Sequence, residues 1–472
     1  MVFPVVGGNE SKGYEISNSL RFNDDDSASL SRAFSTDPSD QKLTTISFWF
    51  KIGNITSAFR ALYRFNDGSN TGAIYLRSGD DLQFAWDVSS GSLDVRPDGV
   101  LRDPSAWYHC HIKVDTTQGT AANRVIIHIN GVERSYGTAT YPNQNATLQH
   151  LSNGKTYYIG GDGQSSDYYF DGYVTEFHVI DGQAKDYTDF GEFDDNGVWI
   201  PKKYTGSYGT NGFYLQFKQT GTSQNASGIG ADTSGNGNHF AVSNLAATDV
   251  TTDSPTNNFC TLNPLTQSEP GNSPTFAEGN LKITMANFDT ESVMATMGVT
   301  QGKWYWEVKG GWTTGNWGFG IEKASSSNIG FNVGYTSTSY SFSQGGYKQN
   351  NSSASQIDSG LGNTDIIGYA LDLDNGYFNF SQNGVWYNGS ASESTTFDTS
   401  NHDFTSLDFG SEFVMPTISG FADTSITTEI NFGNPTFAIS SGNADANGYG
   451  SFEYAPPSGY YALCTKNLAE FG

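Results

Sequence analysis

What most constrains this chain is a run of short segments in which apolar and polar residues alternate at every second position, cut apart by Gly, Asn and Asp. In TTISFWFKIG, Ile46, Phe48 and Phe50 share one face and Trp49 takes the other. AIYLRSGDDLQFAWDV reads as two such strands around a Ser-Gly-Asp-Asp turn. WYHCHIKVD and RVIIHINGVERSY follow, the latter broken by Asn130-Gly131, a pair that tolerates the positive φ angles of a two-residue hairpin. A period of two sends successive side chains to opposite faces of a sheet, and no sustained run carries the 3.6-residue period of a helix. The predicted fold class is all-β.

Sheets with one apolar face need a second layer, so the expected architecture is two concanavalin-like or jelly-roll β-sandwiches in tandem. A length of 472 residues suits two such bodies. The first is expected over residues 1–245, with GFYLQFK as its last strand, and the second over 246–472. AATDVTTDSPTNNF, polar and without periodicity, is the expected linker. The second half repeats the alternation in GKWYWEVKG, NWGFGIEK, DIIGYALDLDNGYFNFSQNGVWYN and TTEINFGN, yet the two halves do not align as copies.

A formal charge of -25 repels phosphate backbones and anionic bilayers, so neither nucleic acid nor membrane is expected as a partner. Cys110, Cys260 and Cys464 are odd in number and widely spaced. They form no disulfide framework and suit assembly in a reducing cytoplasm. The segment MVFPVVGGNESKGYEI lacks the basic start and apolar core of a signal peptide.

Residues 14–182 resemble the laminin-G/concanavalin-A-like lectin superfamily, through SLRFNDDDSASLSRAF, ISFWFKIG, WYHCHIKVD with INGVE, and YYIGG with FDGYVTEFHVIDG. Residues 250–467 resemble a SPRY domain, through GKWYWEV, WGFGI, DIIGYALDLDNG, SQNGVW, INFGNPTF and PPSGYYALCTKNL. The connecting text NGVWIPKKYTGSYGTNGFYLQF, DTSGNGNHF and TDSPTNNFCTLNPL is similar to structural proteins of tailed, especially marine, bacteriophages. That resemblance implies a virion component: a capsid decoration, head fibre or tail appendage, assembled in the host cytoplasm and displayed on the particle. Its implied partners are other virion proteins, further copies of itself and host surface polysaccharide.

Each candidate chemistry has a plainer rival. Glycoside hydrolysis needs two facing carboxylates; Glu192 and Asp194 have alternate spacing but sit in a turn-rich stretch before Pro201. No catalytic residue is therefore assigned. His109 and His111 share a strand face, Cys110 points away, and His128 on a neighbouring strand could join them around zinc. Ordinary strand histidines explain the same text, since a fourth ligand is missing. Calcium suits Asp162, Asp167 and Asp171, or Asp232, Asn236 and Asn238, because hard oxygen ligands crowd flexible loops there; the same residues are ordinary turn formers. No other cofactor is expected. Trp304 and Trp306 alternate with Tyr305 and Glu307 and are expected in the core, with Trp317 as a core or rim anchor. Trp312, in the loop GGWTTGN, is expected to be exposed and, with Asp162 and Asp167, to touch ligand. The SPRY resemblance implies partner binding through loops at one end of the sandwich. The sequons at Asn54, Asn145 and Asn225 are expected by chance and carry no glycan in a bacterial host.

The expected function is therefore non-enzymatic adhesion from a virus surface, with a polysaccharide hydrolase and a purely structural capsid cement as the alternatives.

Overall fold

The computed structural model describes residues 13–55, 58–67, 70–87, 92–161, 168–267, 274–285, 291–310, 316–325, 332–343, 345–359, 361–390, 393–421 and 426–472, with backbone alone for Glu291, Asn316, Trp317 and Phe421. They divide into two compact units, one ending at Thr256 and the other running from Asn257 to Gly472. The division falls later than the sequence expectation at 245/246. The reason lies in the segment read as a linker.

The first unit contains β1 Ser19–Phe22, β2 Ser29–Ala33, β3 Leu43–Ile52, β4 Arg60–Asn66, β5 Thr71–Leu76, β6 Leu82–Asp87, β7 Leu93–Pro97, β8 Trp107–Asp115 and β9 Val125–Ile129. It continues with β10 Val132–Glu133, β11 Tyr136–Thr140, β12 Thr156–Ile159, β13 Gly172–Asp181, β14 Gly191–Phe193, β15 Trp199–Pro201, β16 Phe213–Leu215, β17 Ala241–Ser243 and β18 Val250–Thr251. One sheet runs β10-β9-β8-β3-β13-β1-β18, with β16 also on β13. The facing sheet runs β11-β7-β6-β5-β4-β12-β2-β17. Ile46, Phe48 and Phe50 point inward from β3 as the alternation predicts, against Tyr63, Phe65, Trp86 and Tyr157 of the facing sheet. The Phe48 and Phe177 rings stack at 4.7 Å. Asn130 and Gly131 take φ of +50° and +73°, closing the β9–β10 hairpin as read.

The other face of the first sheet is also dry. Beyond β13 the chain folds back over it, placing Trp199 with Trp49, Trp107 and Tyr173, and Phe190 with Tyr204, Tyr208 and Tyr214. GFYLQFK does supply a strand, β16, but β17 and β18 follow it. The expected linker is instead the closing element: Leu20 pairs with Val250 and Ser19 with Thr251. Asp253 is buried beside Lys51, with Nζ to Oδ2 at 3.0 Å and each side chain 1% exposed. The Trp107 indole N–H donates to Asp253 Oδ1 at 3.0 Å.

The second unit contains β19 Thr275–Ala277, β20 Lys282–Met285, β21 Glu291–Met294, β22 Lys303–Lys309, β23 Asn316–Lys323, β24 Ser339–Ser343, β25 Tyr347–Asn350 and β26 Ser353–Gln356. β27 Ile366–Asp372, β28 Tyr377–Gln382, β29 Val385–Trp386, β30 Val414–Phe421, β31 Ile426–Asn431, β32 Tyr461–Ala462 and the helix α1 Thr465–Phe471 complete it. Its sheets run β19-β20-β31-β22-β27-β28-β29, with β32 on β22, and β21-β30-β23-β24-β25-β26. Trp304 and Trp306 are fully buried in the core, as the alternation requires, and Trp306 stacks on Tyr369 at 5.8 Å.

Tyr305 and Glu307, on the opposite face of β22, are buried as well, under a return segment carrying Phe452 and Tyr460. The Glu307 carboxylate accepts from Tyr305 Oη, Asn431 Nδ2 and the backbone N–H groups of Glu453 and Tyr454. Burial pushes its pKa up to about 7 against those four donors.

Removing one member of a buried ion pair strands the other, at about 3–5 kcal/mol. Asp253→Ala is therefore expected to lower the first unit's unfolding free energy by about that amount in urea titrations. A loss within the scatter of surface substitutions would show that the closing segment is not a structural tether.

Candidate functional site

The sheet β11-β7-β6-β5-β4-β12-β2 turns its second face outward, and register decides what lies there. Arg64 pairs with Ala73, Ala73 with Ala85, Ala85 with Asp94, and Asp94 with Thr140. Directly paired residues point to the same face, so two alanines lie side by side at mid-sheet. They floor a depression of about 360 Å³ bordered by Thr71, Tyr75, Asp87, Ser92, Asp94 and Thr140. Beneath the floor, a Cβ on Gly72 would come within 2.4 Å of both Trp86 and Phe65, so the core holds that position as glycine.

Tyr75 is a positioned wall. Phe59 meets its ring edge-on at 5.7 Å, and the Arg64 guanidinium lies 5.8 Å from it and 4.6 Å from the Tyr168 ring. On the opposite wall Asp94 accepts from Arg96 Nη2 at 2.6 Å and from Gln83 Nε2 at 2.8 Å, while Asp87 accepts from Ser92 Oγ at 2.7 Å. The result is an open, shallow site with an aromatic wall, hydroxyls and hydrogen-bonded carboxylates. Such a surface can stack on an apolar ring face and accept from hydroxyl groups.

None of these residues was singled out by the sequence reading. The strand register that sets the two alanines opposite one another is a tertiary fact. Among the residues that were singled out, Asp162, Asp167 and Trp312 lie outside the described residues, as does the side chain of Trp317. Asp171 is fully buried, and its Oδ1 accepts from the Asn54 backbone N–H at 3.2 Å. Asp232 accepts from the backbone N–H groups of Tyr214, Ser234 and Asn238 and from Ser234 Oγ. Asn236 and Asn238 both donate to the Gly212 carbonyl. A carboxylate ringed by N–H donors has the polarity of an anion cage, opposite to what calcium needs. Glu192 pairs with Lys202 at 3.5 Å, and Asp194 Oδ1 accepts two backbone N–H groups of its own turn. Those two acids therefore serve the β14–β15 hairpin. Asn54 is buried and donates to Asp24. The three cysteines are buried, with burial pushing the Cys464 thiol up to about 12.

Cys110 points into the core while His109 and His111 point to the opposite face, as read. The Trp199 indole donates to His109 Nδ1 at 3.0 Å, and His109 Nε2 lies 2.9 Å from Ser47 Oγ. His109 and His111 thus do not converge, and among the described residues no three His, Cys, Asp or Glu side chains are grouped to hold a metal.

Burial is the first cause that lowers the pKa of both His109 and His150, each to about 3. A histidine held neutral in the fold but free to titrate near 6.5 once unfolded contributes stability above that value and loses it as pH falls towards 3. At pH 5 each of the two costs about 2 kcal/mol. The first unit's urea midpoint is expected to fall markedly between pH 7.5 and pH 5; an unchanged midpoint would contradict neutral burial.

Two family models agree with this architecture. Residues 22–185 match the family described as the Concanavalin A-like lectin/glucanases superfamily, and residues 303–420 match the SPRY domain. No curated protein sequence matches the chain. Among solved structures, the chain is similar to the SPRY domain of human HERC1 at 17% identity and TM-score 0.27, covering 36% of this chain and 96% of that one. It is similar also to the native heptameric SAP-like pentraxin from Limulus polyphemus, at 16% identity and TM-score 0.26, covering 37% and 80%. The TRIM65 PSpry domain follows at 13% identity and TM-score 0.27, covering 36% and 88%. The chain thus carries a concanavalin A-like domain followed by a SPRY domain, both of them β-sandwiches of kinds that typically serve as binding modules.

Proposed function

We propose that this protein is a non-catalytic adhesin of a bacteriophage particle, and that its first sandwich binds host-surface polysaccharide in the depression over Ala73 and Ala85. The observation that carries the reading is that depression: an alanine floor between the fixed Tyr75 ring and the hydrogen-bond acceptors Asp87 and Asp94. Sugars present one apolar ring face and a rim of hydroxyls, and this surface offers a partner to each. Shallow sites of this kind bind weakly alone, and repetition on a particle converts weak contacts into avidity. The phage setting rests on the resemblance of the connecting segments. The SPRY domain is read as a second module directed at another virion protein.

The test is a polysaccharide and glycan-array screen of the intact protein, followed by titration of any hit. Ala85→Trp, which fills the depression from the outward face, is expected to abolish binding with the circular dichroism spectrum unchanged. Tyr75→Ala is expected to cost about 1 kcal/mol, roughly fivefold in Kd. Undiminished binding by both variants would move the site elsewhere. Antibody labelling that leaves purified particles bare would overturn the virion assignment.

A further inference from the structure

Across the covered face of the first sheet, the ladder register sets one row of polar side chains in line. His178 pairs with Ser47, Ser47 with His111, His111 with His128, and His128 with Glu133. Of this row, His111 and His128 meet nitrogen to nitrogen, with Nδ1 to Nδ1 at 3.4 Å. Tetrahedral coordination with metal–nitrogen bonds of about 2.0–2.1 Å sets two ligand nitrogens roughly 3.3–3.4 Å apart. The two imidazoles already stand at that separation.

Each ring is also held from behind. His111 Nε2 lies 3.2 Å from the Lys185 carbonyl oxygen, which can only accept. The proton of a neutral His111 is therefore on Nε2, leaving a bare lone pair on Nδ1 that faces His128. This is the orientation a metal-binding histidine receives from its outer hydrogen bond. His128 is stacked on Tyr187 at 4.1 Å, and its ladder partner Glu133 is an exposed acid on the edge strand β10. Burial is the largest influence on His128 and disfavours its charged form; Glu133 and Asp186 act against that as negative charges, while Lys113 adds to it. Lys113 is itself paired with Asp186 at 2.6 Å. Glu133, opposite His128 in the ladder, would accept a hydrogen bond from Nε2–H of a His128 that coordinates through Nδ1.

We propose that the cross-strand pair His111–His128 is a binding site for one divalent transition-metal cation of the zinc, nickel and copper class, held by the two Nδ1 atoms with water completing the coordination. Imidazole nitrogens suit these ions, and their absence of hard oxygen ligands disfavours calcium and magnesium. The site ties β8 to β9 beneath the cover, independently of the depression on the facing sheet.

The experiment is isothermal titration of the full chain with Zn²⁺ and, separately, Ca²⁺. One Zn²⁺ per chain is expected, with no Ca²⁺ heat attributable to the same site. His128→Gln is expected to weaken Zn²⁺ binding by at least about tenfold, and His402→Gln, in the second unit, to leave it unchanged. Should His128→Gln disturb the fold by near-ultraviolet circular dichroism, Glu133→Gln, at an exposed edge, supplies the second readout with a loss of about tenfold. Absence of Zn²⁺ binding by the wild type would reduce the pair to a plain N–H···N hydrogen bond and overturn the site. Binding unaffected in the histidine and glutamate variants alike would overturn it equally.

Discussion

The first sandwich depends on keeping both faces of one sheet out of water. Its inner face packs the core, and its outer face carries Lys51, His109, His111 and Trp107, residues that a solvated sheet would leave wet. Covering such a face is unfavourable unless every polar group finds a partner. The fold meets that demand locally: Asp253 answers Lys51, Trp199 answers His109, and the Lys185 carbonyl answers His111. The long excursion after β13 follows from the same requirement, because it is what delivers those partners. The second unit solves a smaller version of the problem, with Glu307 meeting four donors beneath its return segment.

Much of the strand pattern was legible because period-two alternation is written directly in the side chains. Phe48 and Phe50, Trp304 and Trp306, and the Asn130-Gly131 turn all sit where that pattern places them. The closing strand was not legible. DVTTDSP carries no alternation, since β18 is two residues long and its anchor is a single buried acid with a partner some 200 positions earlier in the chain. Polar text was read as exposed text, and that inference fails wherever a charge is paired inside.

The candidate site was illegible for a related reason. Alanine is a weak strand former, so Ala73 and Ala85 carry little signal within their hairpin. Their meaning appears only when register lays them side by side. The Asp- and Asn-rich loop at 232–238, which looked like a cation site, was conversely too easy to read: composition shows which oxygens are present and not which way the surrounding N–H groups point. His111 and His128 fall between these cases. Their separation in sequence was visible, while their direct opposition across β8 and β9 was not.

The closure of β1 by β18 has a further bearing on biogenesis. The first strand of the sandwich waits for a partner more than 200 residues downstream, so the domain has high contact order and is expected to fold slowly. On the ribosome it cannot complete its sheet until the segment around Asp253 has emerged, by which time synthesis of the SPRY domain is already under way. The same long-range lock has to be undone before the sheet can peel from its end, which favours slow opening of the folded domain.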